Sequence, residues 1–205
     1  MKARAPSRRG AATRARLLEA AAELTAEGGY AAASVTAIAE RAGVSAGALY
    51  RHFPAKVDLF SELFRSVSDR ELAAMYEAGE GAGSWVERLD AVLTTYATHA
   101  LAMPRLSWAL VYEPVDPRLD ADRLESRRRY REGMADLIRR GIEAGELPGQ
   151  DADLTAAAVV GAMAEALLRP TSPTMAEGEA DPDLVAGVVA LCRRLVGAPT
   201  APQEP

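Results

Sequence analysis

At 205 residues, 49% of them apolar, the chain can bury one or two small cores, and its single cysteine, Cys192, excludes an intramolecular disulfide and fits a reducing compartment. Residues 1–56 hold nine Lys or Arg and four Glu, a net +5, whereas residues 57–205 hold fifteen Lys or Arg and twenty-five Asp or Glu, a net −10. That asymmetry excludes a uniformly basic coat and suits a chain whose front alone meets nucleic acid.

In chain order, residues 1–12 read as a disordered basic arm. Lys2, Arg4, Arg8 and Arg9 suit added phosphate contacts or a minor groove, and equally a solubilising tail. Thr13 to about Glu27 reads as a first helix, with Leu17, Ala21 and Leu24 on its apolar side and Gly28-Gly29 ending it. Arg14 and Arg16, near its start, suit phosphates or an ordinary charged surface, and Tyr30 should pack below. Ser34 caps a second helix, Val35 to Ala42, and its hydroxyl can also donate to a phosphate. Gly43 then supplies a position that tolerates positive φ. Ser45 caps a third helix, Ala46 to Phe53, with Leu49 and Phe53 four apart on one side. Helix, glycine-containing turn and helix make a helix-turn-helix, whose second helix enters the major groove.

The exposed start of that helix is Ser45, Ala46, Gly47 and Ala48. Ala46 and Ala48 can only touch thymine methyls or leave room. Gly47 costs about 1 kcal/mol relative to Ala inside a helix, yet lets the backbone approach the groove. Hydrogen-bonded base reading therefore falls to Arg51, Thr36 and Ser45.

The run AGVSAGALYRHFPAKVDLF, through Gly43, Val44, Ser45, Leu49, Tyr50, His52, Phe53 and Lys56, closely resembles the signature of TetR-type (TetR/AcrR) transcriptional regulators. The resemblance is strong over residues 13–65 and fits the rest by layout. It implies an all-α chain with its DNA-binding part first, a DNA contact for Thr36, and phosphate contacts for Tyr50, His52 and Lys56. His52 also suits a packed core. Where that family often has Ser or Asp before the lysine, this chain has Ala55, which leaves the next helix start less well specified.

Lys56 to about Ala78 reads as a long connecting helix with Val57, Phe60, Leu63, Phe64 and Val67 on one side. Ser84-Trp85-Val86-Glu87 is a capping box that opens a helix to Met103, which Pro104 ends. Leu106 to Tyr112 makes a short helix, followed by a loop holding Pro114 and Pro117. The helix from about Asp120 to Ala144 shows an inward stripe of Arg127, Tyr130, Met134, Leu137, Ile138 and Gly141. An arginine there needs a partner such as Glu165, a ligand, or exposure. Asp151 or Asp153 caps a helix to Leu168, and Asp181-Pro182 starts the last one. Both are apolar nearly all round, so a second copy should cover the side that this chain leaves open. Leu154, Ala158, Gly161, Leu184, Val188, Leu191 and Leu195 are the expected dimer contacts.

The expected organisation is all-α, about nine helices: a disordered arm over 1–12, a helix-turn-helix domain over 13–56, a helical ligand-binding and dimerisation domain over 57–197, and a flexible tail over 198–205. The resemblance implies a homodimeric regulator, released as a repressor from a palindromic double-stranded operator by a small molecule. The pocket candidates are Tyr96, His99, Met103, Trp108, Tyr112, Arg127, Tyr130 and Met163, each aromatic or Met also suiting plain core. Arg127 and His99 stand out as polar groups on apolar stripes. The effector should be apolar or aromatic with one polar or anionic group. A helix-turn-helix protein without such a ligand, controlled by a protein partner or acting as an activator, is the alternative. Two histidines with no Ser/His/Asp spacing, no phosphate loop and no metal cluster give no material for an enzyme, and no cofactor or metal is expected. No stretch approaches the ~18 apolar residues of a membrane span and no signal-type run follows the N-terminus, so a cytoplasmic protein without membrane contact is expected.

Overall fold

A computed structural model describes residues 8–113, 116–173 and 183–198, which form nine α-helices and no strand. The all-helical expectation is borne out. The chain divides into two compact units: residues up to Val67 together with Arg105–Arg123, and Ser68–Pro104 together with the residues from Leu124 onward.

The first unit contains α1 (Arg8–Ala32), α2 (Val35–Arg41), α3 (Ala46–His52), the start of α4 (Lys56–Gly79), α6 (Pro104–Val111) and the start of α7 (Arg118–Glu143). The segment Arg105–Arg123, read from sequence as part of the body, packs here. The expected arm is helical from Arg8 onward, with the Thr13 hydroxyl donating to the Arg9 carbonyl at 3.1 Å; residues 1–7 lie outside the described residues. Helix α1 runs through Gly28, breaks at Gly29 (φ 77°, ψ −175°) and resumes to Ala32. Only glycine adopts that conformation without strain. Leu17, Ala21, Ile38, Leu49, Phe53, Leu59, Phe60 and Leu63 are buried together as the core.

Polar ties fix these helices. The Arg14 side chain of α1 pairs with Glu62 of α4, donates to the His52 carbonyl at the end of α3 (3.0 Å), and lies 4.2 Å from the Phe53 ring centre. Arg41 of α2 meets Glu27 at 2.8 Å and Glu23 at 3.1 Å on α1. Arg14 is therefore committed inside the protein. The cap missing at Ala55 is replaced from the other direction: the Ala55 N–H donates to Asp58 Oδ2 at 2.8 Å. That is half of a capping box, enough to define the start of α4.

The second unit contains the rest of α4 and α7, with α5 (Trp85–Ala102), α8 (Ala152–Thr171) and α9 (Leu184–Leu195). The Ser84–Glu87 capping box forms as expected. Pro104 opens α6 instead of merely ending α5, because the first turn of a helix needs no N–H from it. Asp151 caps α8, accepting from the N–H groups of Asp153 and Leu154. Helix α8 continues past Leu168 through Pro170; the Thr171 hydroxyl donates to the Leu167 carbonyl at 2.7 Å, satisfying one of the acceptors at that end. The expected start at Asp181-Pro182, Pro114 of the α6–α7 connection, and residues 199–205 of the expected tail lie outside the described residues. Ala198 is not loose: it is buried, and its N–H donates to the Arg193 carbonyl at 3.0 Å. Leu89, Leu93, Ala97, Ala135, Ile138, Val159, Cys192 and Val196 lie deepest in this core, where burial pushes the Cys192 thiol up to about 11.

Replacing Arg14 by Ala removes the Glu62 pair, the bond to the His52 carbonyl and the stacking on Phe53 together. With both partners partly solvated, the expected cost is about 1–2 kcal/mol. A fall in Tm of roughly 2–6 °C should follow in thermal denaturation. An unchanged Tm would mean that α3 is held by its apolar contacts alone.

Candidate DNA-binding surface and effector pocket

Seven residues form α3, and its outer face is set by what its inner face must bury. Leu49 and Phe53 are almost wholly buried. That leaves Ser45, Ala46, Gly47, Tyr50 and Arg51 exposed and Ala48 half-buried. The Ser45 hydroxyl accepts from the Ala48 N–H (3.2 Å), and that of Ser34 accepts from the Ala37 N–H (3.1 Å). Both serines act as caps, and each still has a proton to donate. A methyl placed on Gly47 would have the Ser45 hydroxyl as its nearest neighbour, at 4.0 Å. The fold itself gives no reason for glycine there, and the space lies on the outer face. Thr36 of α2 is exposed, and His52 is half-buried at the end of α3.

The cations of this unit fall into two sets. Arg14 and Arg41 are tied into the protein, whereas Arg8, Arg9, Arg16 and Arg51 are exposed and make no ion pair among the described residues. Lys56, expected on a phosphate, belongs with the tied set. Its ammonium donates to the Tyr30 carbonyl at 2.7 Å and sits 3.7 Å from the Tyr30 ring centre. Burial pulls its pKa below the ordinary lysine value, with Glu113 opposing. The sequence motif identifies the position; only the packing shows where the side chain goes.

In the second unit, a pocket is bounded by Leu72, Met75, Tyr76, Gly79 and Glu80 of α4 and its end, Trp85 and Val92 of α5, and Tyr130, Gly133, Met134, Asp136, Leu137 and Arg140 of α7. Its volume is about 50 Å³, room for a few water-sized groups. Arg140 is held at its rim by Asp136 at 3.0 Å and Glu80 at 3.7 Å. Tyr130 meets the Tyr96 ring edge-on at 5.7 Å. Burial pushes the Tyr130 phenol well above the ordinary tyrosine value, reinforced by Tyr96 and Glu71 and opposed by the Ser68 hydroxyl.

Among the sequence candidates for this pocket, Tyr130 lines it and Tyr96 backs it. The others do not. Arg127 is exposed, and Ser126 takes the buried place beside it, so no partner is required. His99 is exposed and 3.2 Å from Glu71. Met103 is 45% exposed and Met163 is buried core. Trp108 and Tyr112 stack on each other at 5.2 Å in the first unit. The missed residues carry a signal: Leu72, Met75 and Gly79 continue the apolar side of α4 at helical spacing.

The expected dimer contacts also divide. Leu154 is 69% exposed, Leu191 37% and Leu195 39%, and the small Ala158 and Gly161 are exposed on α8 as well. Leu184 is half-buried against the core, and Val188 is inside it. Val188 is unavailable to a second copy because α9 turns that side toward α5 and α8. Among the described residues, no helix is long and apolar enough to cross a membrane and no group of acidic, His or Cys side chains could hold a metal.

Residues 17–63 match the family of bacterial regulatory proteins called tetR, and residues 82–167 match the tetracyclin repressor-like C-terminal domain. The transcriptional repressor KstR2 of Mycobacterium tuberculosis is 31% identical over 147 residues, which are 69% of this chain and 72% of that protein. A TetR/AcrR regulator from Thermobifida fusca superposes with a TM-score of 0.69 at 27% identity, over 87% of this chain and 95% of that one. FadR of Bacillus subtilis, solved with stearoyl-CoA, superposes with a TM-score of 0.74 at 24% identity, over 89% and 97% of the two chains.

Arg51→Ala and Lys56→Ala should separate in a salt titration of DNA binding. Loss of an exposed phosphate cation lowers the log–log salt slope by about 0.9. Arg51→Ala should weaken binding and show that drop if it meets a phosphate, or relax base preference if it meets a base. Lys56→Ala should lower stability and leave the slope unchanged. A slope change in Lys56→Ala would return that lysine to the DNA contacts.

Proposed function

The chain belongs to the TetR family of bacterial regulatory proteins and is a DNA-binding transcriptional regulator; from there we propose that it is a cytoplasmic, homodimeric repressor, released from a palindromic operator when a small molecule enters its second unit. The observation that carries the DNA reading is the sorting of charge on the first unit: Arg14, Arg41 and Lys56 are bound to the protein, while Arg51 on α3 makes no ion pair among the described residues. A cation held out on a reading helix suits a guanine edge or a phosphate.

The exposed apolar positions Leu154, Leu191 and Leu195, beside the small Ala158 and Gly161, support pairing of α8 and α9 with a second copy. Two copies on a two-fold axis would present two α3 helices to inverted half-sites. The pocket supports an effector, and its aromatic and methionine lining suits an apolar or aromatic one with a single polar group at the Arg140 rim. A ligand can shift DNA affinity only by binding one conformer more tightly than another. A pocket of about 50 Å³ favours binding to a more open conformer. The same small volume gives weight to a second reading, in which no small molecule binds and a protein partner controls the repressor.

Selection of genomic DNA fragments by the purified protein tests the proposal. A palindromic motif is the expected outcome, and a folded dimer that enriches no motif would contradict it. Leu191→Glu should sediment as a monomer and bind one half-site weakly; persistent dimers would place the interface elsewhere. Stearoyl-CoA is a first probe for the pocket, scored by release of the selected fragment.

A further inference from the structure

The break in α1 at Gly29 leaves Tyr30 at a junction of charged groups from distant parts of the first unit. The Tyr30 N–H donates to Glu113, just beyond α6, at 3.1 Å. Its carbonyl accepts from Lys56, the first residue of α4, at 2.7 Å. Its ring lies under the same ammonium at 3.7 Å and meets the Phe60 ring edge-on at 4.5 Å. A methyl placed on Gly29 would stand 3.2 Å from both Glu113 carboxylate oxygens, so the glycine also makes room for that carboxylate. The end of α6 is itself pinned, because Arg123 donates to the carbonyls of Leu110 at 2.9 Å and Glu113 at 2.9 Å.

We propose that Glu113 is a positioning residue for DNA binding. From outside the helix-turn-helix, it fixes the end of α1 and, through Tyr30 and Lys56, the start of α4, two of the elements packed around α3. Glu113 touches no DNA in this scheme; it sets the angle at which α3 is offered. Its negative charge also opposes the lowering that burial imposes on the Lys56 pKa, which favours the ammonium that donates to Tyr30. The inference rests on the DNA-binding reading.

The test compares full-length Glu113→Ala and Glu113→Gln with the wild type on a selected operator over a range of salt. The Ala variant should bind roughly tenfold more weakly with an unchanged salt slope. The Gln variant, whose amide oxygen still accepts from Tyr30, should recover at least half of that loss on a logarithmic scale. Hydrogen exchange of the α3 amides, measured without DNA, should be faster in Glu113→Ala and close to wild type in Glu113→Gln. Wild-type affinity and wild-type α3 exchange in the Ala variant would overturn the proposal. So would a steeper salt dependence, which would make Glu113 part of the charge facing DNA. A wild type that binds no DNA would sink the regulator reading instead, and the exchange comparison would still decide the role of Glu113.

Discussion

A seven-residue helix cannot hold itself together, and the structure depends on that constraint. Isolated helices shorter than about 12–15 residues are marginal in water. Helix α3 must therefore take its order and its direction from its neighbours. Leu49 and Phe53 fasten its inner side to α1, α2 and α4. Arg14 closes its C-terminal end by taking the His52 carbonyl while paired with Glu62. Ser45 closes the other end. Ala46, Gly47, Tyr50 and Arg51 are left exposed, with Ala48 and His52 half-buried beside them, and those are the residues proposed to meet DNA.

The same economy explains the charges. A guanidinium or ammonium near a core must be bonded, or its desolvation goes uncompensated. Arg14 and Lys56, each half-buried, meet that requirement with Glu62, the His52 carbonyl and the Tyr30 carbonyl, while the exposed Arg41 is paired at the surface with Glu23 and Glu27. Arg51 has no such requirement because it stays in water. The net +5 of residues 1–56 thus overstates the charge free to meet phosphates. What remains is the exposed set along the start of α1 and on α3, where a duplex can approach.

Sequence reading goes furthest where a local rule has one answer. The caps at Ser34, Ser45 and Ser84, the turn at Gly43 (φ 66°) and the buried Leu49 and Phe53 all follow from residue chemistry over a few positions. It fails where two answers differ by one residue. On α7, spacing of three and four admits Arg127 to the inward stripe, while spacing of four selects Ser126, a rotation of about 100°. Burial selects Ser126. The charge at 127 is the better guide, since an unpaired arginine avoids a core. Lys56 misleads for another reason. Its partner, the Tyr30 carbonyl, is a backbone atom left free where α1 ends at Ala32, and no side-chain pattern announces that. Sequence spreads the pocket over residues of α5, α6, α7 and α8 and finds Tyr130, whereas its walls are α4, α5 and α7. Aromatic content marks cores and pockets alike, and only packing separates the two.

The central claim is that α3, held from behind, is the surface that meets DNA. Hydrogen exchange of the protein, with and without a selected duplex, tests it most directly. The account predicts new protection over residues 34–51, strongest in the amides of Ala46, Gly47 and Ala48. Protection confined to the exposed arginines of α7, Arg127 and Arg131, with α3 unchanged, would contradict it.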